Sequence, residues 1–417
     1  MKGHSFIFAA LLAATCFTAQ AEDKILNIEI EIEIENPSNK AKVDEPVVLD
    51  LRQLLGDNSM FCVKSAIVMD EGTEIPSQLD DMNGDLRFDE MAFVINLPAK
   101  SKKTVSVTLS SEKSAKQYKP RTYAEILLRT SKKDKYVKGF SVFADGKADT
   151  YNILHHHGVA FESELVAWRI YFNEKQTTDL YGKFNKQLEI EESMFYPTDE
   201  QLKRGFGDDV ILVRNSCGAG TLKGWNGTQA THISPVMIRG QRVIASGPVR
   251  AIVEAEVKGW EYQGKMLNMK NRYTIYAGHR DAQVDVIFDR PVGEETFCTG
   301  VQNIAGNAEH FSDHKGLVAS WGTDWPVKDT VKYKKETVGL ATFIPKKHVI
   351  KEATDAENFL YVIHAPKATT FRYYTMFTSR KETFGYPTAS AWFEYAKQWK
   401  ESLEKPIKIT ITPKRKL

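Results

Sequence analysis

The clearest pattern in the chain is an alternation of apolar and acidic residues over 25–35, ILNIEIEIEIE. Period two over that length predicts a half-buried strand, with the isoleucines facing a core and the glutamates facing water. The charged face also discourages edge pairing with other chains. Asn36-Pro37-Ser38-Asn39 turns the chain, and shorter apolar runs predict strands over 46–51, 63–69, 91–97 and 104–109. These make a small antiparallel β-sandwich over residues 22–112. A lysine-rich polar stretch closed by Pro120 follows as a linker over 113–120.

From 121 to 417 strand patterns follow one another with little helix. They fall on 124–129, 165–172, 210–213, 234–238, 242–247, 249–257, 270–277, 283–288, 338–343, 359–364 and 372–377. One amphipathic helix is predicted over 389–403, where Trp392, Phe393, Tyr395, Ala396 and Trp399 share overlapping faces, and a strand over 407–411 closes the chain. Many strands and short turns predict a mainly β protein, a large antiparallel sandwich behind the small one.

The first residues add a destination. Lys2, an apolar run over 6–17 and Ala19-Gln20-Ala21 read as a secretory leader, residues 1–21. Thr15 and Ala13 before Cys16 argue against a lipoprotein. The expectation is a periplasmic or secreted protein without a membrane span. Cys62, Cys217 and Cys298 then remain, too widely spaced for a zinc motif and expected as isolated buried residues. The 56 Lys plus Arg nearly balance the 54 Asp plus Glu, so no global basic field points to nucleic acid. The lysines and Arg415 after residue 404 are expected as a solvated tail. Oligomeric state is not written in the pattern.

Candidate chemistry concentrates in 155–183, HHHGVAFESELVAWRIYFNEKQTTDLYGK. If 165–172 is a strand, Val166, Trp168 and Ile170 face a core while Arg169 and Tyr171 face the other way. Asp179, Tyr181 and Lys183 repeat that pattern on the next strand. Two adjacent strands would thus offer Arg169, Tyr171, Tyr181 and Lys183 as a cationic, aromatic floor suited to an acidic sugar. The plainer alternative is a cross-strand salt bridge from Arg169 to Asp179 on a solvated face. Among the histidines, His155 and His157 can share a face. With Glu162 or Glu164 they could form a metal set, and His157 alone could serve as general base.

Other candidates lie apart. Trp225, Asn226 and His232 combine a stacking ring, an amide and an imidazole, and Arg280 and Tyr374 add late sugar-binding groups. Asp81, Asn83, Asp85 and Asp89 alternate as calcium ligands do, so a structural calcium is the one cofactor expected, and none is required for catalysis. Leu86 stands where a calcium loop wants glycine and Ala92 where it wants glutamate, and Asn83-Gly84 also reads as a plain hairpin turn.

Several segments carry a family resemblance: DEPVVLDL (44–51), EIPSQLDDMNGDLRFDEMAF (74–93), 156–183, RYTIYAGHRDAQVDV (272–286) and WFEYAKQW (392–399). They resemble a bacterial family known as domain of unknown function 4861. Its pattern falls here on His157, Gly158, Glu162, Arg169, Tyr171, Asp179, Tyr181, Gly182 and Lys183. The resemblance implies an exported protein of polysaccharide-degrading bacteria with a mutarotase-like super-sandwich, a partner glycan rich in uronic acid, and no established catalytic residues. Three readings follow. In a polysaccharide lyase, Arg169 or Lys183 would neutralise the carboxylate, His157 would be the base, and Tyr171 or Tyr181 would protonate the leaving oxygen. A glycoside hydrolase would draw two carboxyls from Glu162, Glu164 and Asp179. A non-catalytic sugar-binding or mutarotase-like protein would rely on Trp225 and the late tyrosines.

Overall fold

The computed structural model describes residues 27–56, 61–131 and 135–413; residues 1–21, expected as a leader, and Lys414, Arg415 and Lys416 of the expected tail lie outside them. The described chain is mainly β, arranged in antiparallel sheets with one longer helix near its end. The alternating run forms strand Asn27–Glu35 and buries Ile30, Ile32 and Ile34. It pairs with Lys102–Ser110 on one side and Lys408–Pro413 on the other, so that Ile32 meets both Val105 and Ile411. A smaller sheet of Lys42–Asp50, Glu90–Leu97 and Ser77–Asp80 closes the sandwich over Val47, Leu49, Met91, Phe93 and Ile95. The last strand therefore belongs to the first sandwich, whereas a simple division at 121–417 would have left it with the second.

The second sandwich is built on a nine-stranded sheet running from Ser141–Asp145 at one edge to Glu309–Ser312 at the other. Its inner face packs on two smaller sheets. One contains Thr122–Arg129, Gly158–Ser163, Ala167–Tyr171 and Thr178–Gly182; the other contains Thr296–Gln302 and Asn358–His364. A shared core joins Val159, Phe161, Trp168 and Ile170 to Val253, Tyr273, Phe297 and Tyr361. Burial of that much aliphatic and aromatic surface, at about 25 cal/mol per Å², is what holds the layers together.

The helix forms over Ala389–Leu403 as its pattern predicts. Thr388 accepts from the amide of Ala391 to cap it, and Trp392, Ala396 and Trp399 pack on the far end of the large sheet. Two expected strands are corrected. Residues 234–237 form a loop, with a strand beginning only at Ile238, and 210–213 is irregular after the short strand Asp208–Asp209. Cys217 and Cys298 are buried and free as expected, but Cys62 is exposed. Among the described residues, no helix is long and apolar enough to cross a membrane.

Candidate functional site

Alternation along the smaller, six-stranded sheet sorts the key stretch cleanly. Register aligns Ala160 with Arg169 and Arg169 with Asp179 in one row, and Glu162 with Ala167 and Ala167 with Tyr181 in the next. All six lie on the face turned away from the main core. The two alanines leave room for the long side chains beside them. Segment 184–207, which carries the short helices Ile190–Ser193 and Asp199–Lys203, then folds over this face and presses Ile190 and Phe195 onto it.

At one end the cover is complete. Lys183 and Glu162 are both 0% exposed and form an ion pair. Lys183 Nζ also donates to the carbonyls of Ser163 and Gln187, each at 2.7 Å, which uses all three of its protons. Glu162 further accepts the amides of Glu189 and Ile190, and burial raises its pKa despite the lysine. Tyr181 is fully buried with its ring against Phe195, and its hydroxyl is enclosed beside Glu189 and Ser193. The open floor expected of Tyr181 and Lys183 is thus corrected. These groups and Glu162 clamp the covering segment and are closed off from the surface.

The other end is open. Arg169 donates to Asp179 Oδ2 from Nε (3.0 Å) and Nη2 (2.6 Å), to Tyr171 Oη (2.9 Å), to Tyr196 Oη (2.7 Å), and at 3.4 Å to Asp209. The cross-strand salt bridge is therefore present, and it is the hub of a network rather than a free cation. Tyr171 spends its own proton on Asp179 Oδ2 at 2.7 Å. Tyr196 is 41% exposed, and its oxygen accepts from Arg169, so its proton is free for an acceptor outside. Burial pushes the Asp209 carboxyl up to about 8, with Arg169 opposing and Asp179 and Asp208 reinforcing the rise.

The three histidines form a tight turn, not a strand. His156 and His157 both take positive φ (41° and 63°), which sends consecutive imidazoles in three directions. His155 donates to the Met194 carbonyl (3.0 Å) and is held down to about 4 by burial. His156 is fully buried on Glu125 at 3.1 Å. His157 reaches the rim, stacked on Tyr151 with ring centroids 3.9 Å apart, and its Nδ1 donates to the Tyr151 carbonyl at 3.2 Å. That tautomer leaves Nε2 as a proton acceptor. Burial, reinforced by Arg169, lowers the His157 pKa, which favours the neutral ring. Its ring centroid lies 6.5 Å from that of Tyr196. Beside it opens a cavity of about 510 Å³ lined by Tyr151, His157, Tyr171, Asn173, Glu174 and Arg239, among others.

The histidines and glutamates do not form the expected metal set: Glu162 is spent on Lys183, and Glu164 binds Arg121 and the Gly278 amide. Among the described residues no group of three or more His, Cys, Asp or Glu is set to hold a metal. In the acidic loop, Asp81, Asn83 and Asp85 accept backbone amides of the loop itself, and Asp89 accepts from Met82 N and Asn83 Nδ2. That is a self-capped turn, with its carboxylates and the Asn83 amide oxygen turned onto the loop's own donors.

The remaining candidates do not converge on this edge. Trp225 is largely buried with Cys217, Cys298, Leu360 and Val362, and with Asn226, which caps its own turn, it borders a separate shallow hollow beside Gln263, Ile350 and Lys351. His232 borders a separate hollow with Asp355 and Asn358. Arg280 is buried against Glu382 and the Phe377 carbonyl. Tyr374 lines a cavity of about 380 Å³ between the two sandwiches, with Lys42, Tyr276, His279, Arg372 and Trp399. The open edge instead recruits Tyr151, Tyr196, Asp209 and Arg239. The Asp208-Asp209 pair ahead of an apolar run was the one local signal that could have drawn attention to any of these.

No curated protein matches the chain. Among solved structures it is similar to a protein in glycosyl hydrolase family 38 from Enterococcus faecalis, with 10% identity over 93% of this chain and 48% of the other, at a TM-score of 0.47. An alpha-mannosidase from Enterococcus faecalis V583 also matches, with 10% identity over 93% of this chain and 46% of the other, at 0.45. The chain spans about half the length of these structures. Residues 34–409 match a family model across nearly all of the two sandwiches, and the chain belongs to that family, described as Domain of unknown function (DUF4861).

Proposed function

We propose that this is an exported carbohydrate-active enzyme that cleaves a uronic-acid-containing glycan by β-elimination at the edge formed by His157 and Tyr196. The observation that carries the reading is complementary proton bookkeeping across a short gap. His157 presents an unprotonated Nε2, and Tyr196 presents a phenol whose oxygen is already held by Arg169. In the reaction, His157 takes the proton from the carbon next to the sugar carboxylate. The electron pair left behind forms the C4–C5 double bond, and the C4–O4 bond breaks. The departing oxygen receives its proton from Tyr196. Arg169 supports the phenolate that forms, and Asp179 and Tyr171 hold the guanidinium in place. The step draws on side chains alone.

This reassigns the roles read from sequence. Arg169 acts on Tyr196 rather than on substrate, Lys183 and Tyr181 are structural, and Tyr171 is a positioning residue. Purified protein incubated with a panel of uronic-acid polysaccharides should generate the ultraviolet absorbance of an unsaturated uronide, and Tyr196→Phe should lose it. A second reading, hydrolysis, is favoured by Asp209, whose pKa burial raises in the direction a general acid needs. New reducing ends without absorbance would mark that outcome. Its weakness is the partner carboxylate, because Asp179 is enclosed and saturated.

A further inference from the structure

Elimination needs a cation on the substrate carboxylate, and Arg169 is fully engaged. The described interior holds another guanidinium that is not. Arg239, on strand Ile238–Ala245, is only 5% exposed. Its Nη2 donates to the Ile233 carbonyl at 2.7 Å, while its Nη1 is buried without a hydrogen-bond partner. It is absent from every ion pair among the described residues, unlike buried Arg169, Arg250 and Arg280, each of which meets a carboxylate. A buried cation lacking an anion is costly, and proteins retain such a group mainly where a ligand completes it. Burial accordingly lowers its pKa, with Glu174 as the only opposing charge.

Arg239 lines the same 510 Å³ cavity as His157, and the phenol rings of Tyr151 and Tyr171 border it. We propose that this cavity is a carboxylate subsite, in which Arg239 pairs with the carboxylate of an acidic sugar lying against Tyr151 and Tyr171. The assignment rests on the reading that His157 works on a uronide, and it supplies what that reading lacks: charge neutralisation beside the carbon that loses its proton. A planar carboxylate matches the guanidinium fork, and the aromatic walls suit a sugar ring. Glu174, Asp149 and Lys147 also line the cavity, and the two acids oppose a ligand carrying several negative charges.

The test is a calorimetric titration of the wild-type protein with galacturonate and glucuronate against galactose, glucose and inorganic sulfate, alongside Arg239→Gln and Tyr151→Ala. Tyr151 is largely exposed, so its variant isolates the site without threatening the fold. Uronates should bind in preference to neutral sugars and sulfate. Arg239→Gln should weaken uronate binding roughly 100-fold and abolish the preference, and Tyr151→Ala should weaken binding about 10-fold. If Arg239→Gln fails to fold, the wild-type preference and Tyr151→Ala decide. Equal binding of acidic and neutral sugars, equal binding of sulfate, no uronate binding, or an unchanged preference in folded Arg239→Gln would each overturn the subsite. Failure of the elimination reading looks different: Arg239-dependent uronate binding with no unsaturated product from any substrate.

Discussion

The two ends of one sheet face make the most instructive contrast in the molecule. At the Lys183–Glu162 end all three ammonium protons and both carboxylate oxygens are taken up within the protein, and segment 184–207 seals the pair from water. A few ångströms away along the same strands, the Arg169 end keeps a surface phenol with a spare proton and a histidine with a spare lone pair. Both ends are polar, and both come from the same alternation. What separates them is satisfaction: a saturated buried pair rigidifies, whereas unspent valences at an accessible edge can do chemistry.

Substitutions can break the contrast from either side. The largest effect should come from Lys183→Met, which strands the Glu162 charge in the interior and should cost about 3–5 kcal/mol of stability by chemical denaturation. Adding Glu162→Gln should recover a substantial part of that loss. His157→Gln, at a half-buried rim position, should leave the denaturation midpoint nearly unchanged and reduce kcat by about 10²–10⁴-fold. Tyr196→Phe should lower kcat by about 10²-fold and cost only about 1 kcal/mol of stability for its one hydrogen bond to Arg169.

The subtlest effect concerns Asp209. Its folded pKa, about 8, stands above the ordinary carboxylate value, so the protonated form it favours helps the fold below pH 3.8. That contribution drains away as pH rises toward 8, at no more than about 1.4 kcal/mol per pH unit. Thermal melts of Asp209→Asn should therefore gain on wild type as pH rises from 5 to 8. A constant difference across that range would mean that Asp209 is ionised throughout. On the acid side, the lowered His157 pKa should place the fall in kcat/KM below pH 6.5, the ordinary histidine value.

Local pattern carried a good part of this into view. Alternation located Asn27–Glu35, and the overlapping aromatic faces of the amphipathic run located Ala389–Leu403. Parity put Arg169 and Asp179 on one face, and the salt bridge between them is present, but buried under the covering segment rather than on the solvated face expected of it. The remainder depends on contacts between distant residues. Nothing in 184–207 announces that it will fold over Lys183 and Glu162, and nothing in 408–413 announces that it will pair with residues 30–35. Positive φ at His156 and His157 turns a run of three similar residues into three environments, which no period could show. Arg239 and Asp209 reach the open edge from outside the key stretch, so neither could be grouped with it by spacing.

The most direct test of the central claim is absorbance of the unsaturated uronide, followed for wild type and for Tyr196→Phe on the same panel of uronic-acid polysaccharides. The account expects absorbance to rise with at least one substrate for wild type and to stay near baseline for the variant, with both proteins folded. Equal rates for the two would contradict the assignment of Tyr196, and cleavage yielding only saturated ends would contradict elimination itself.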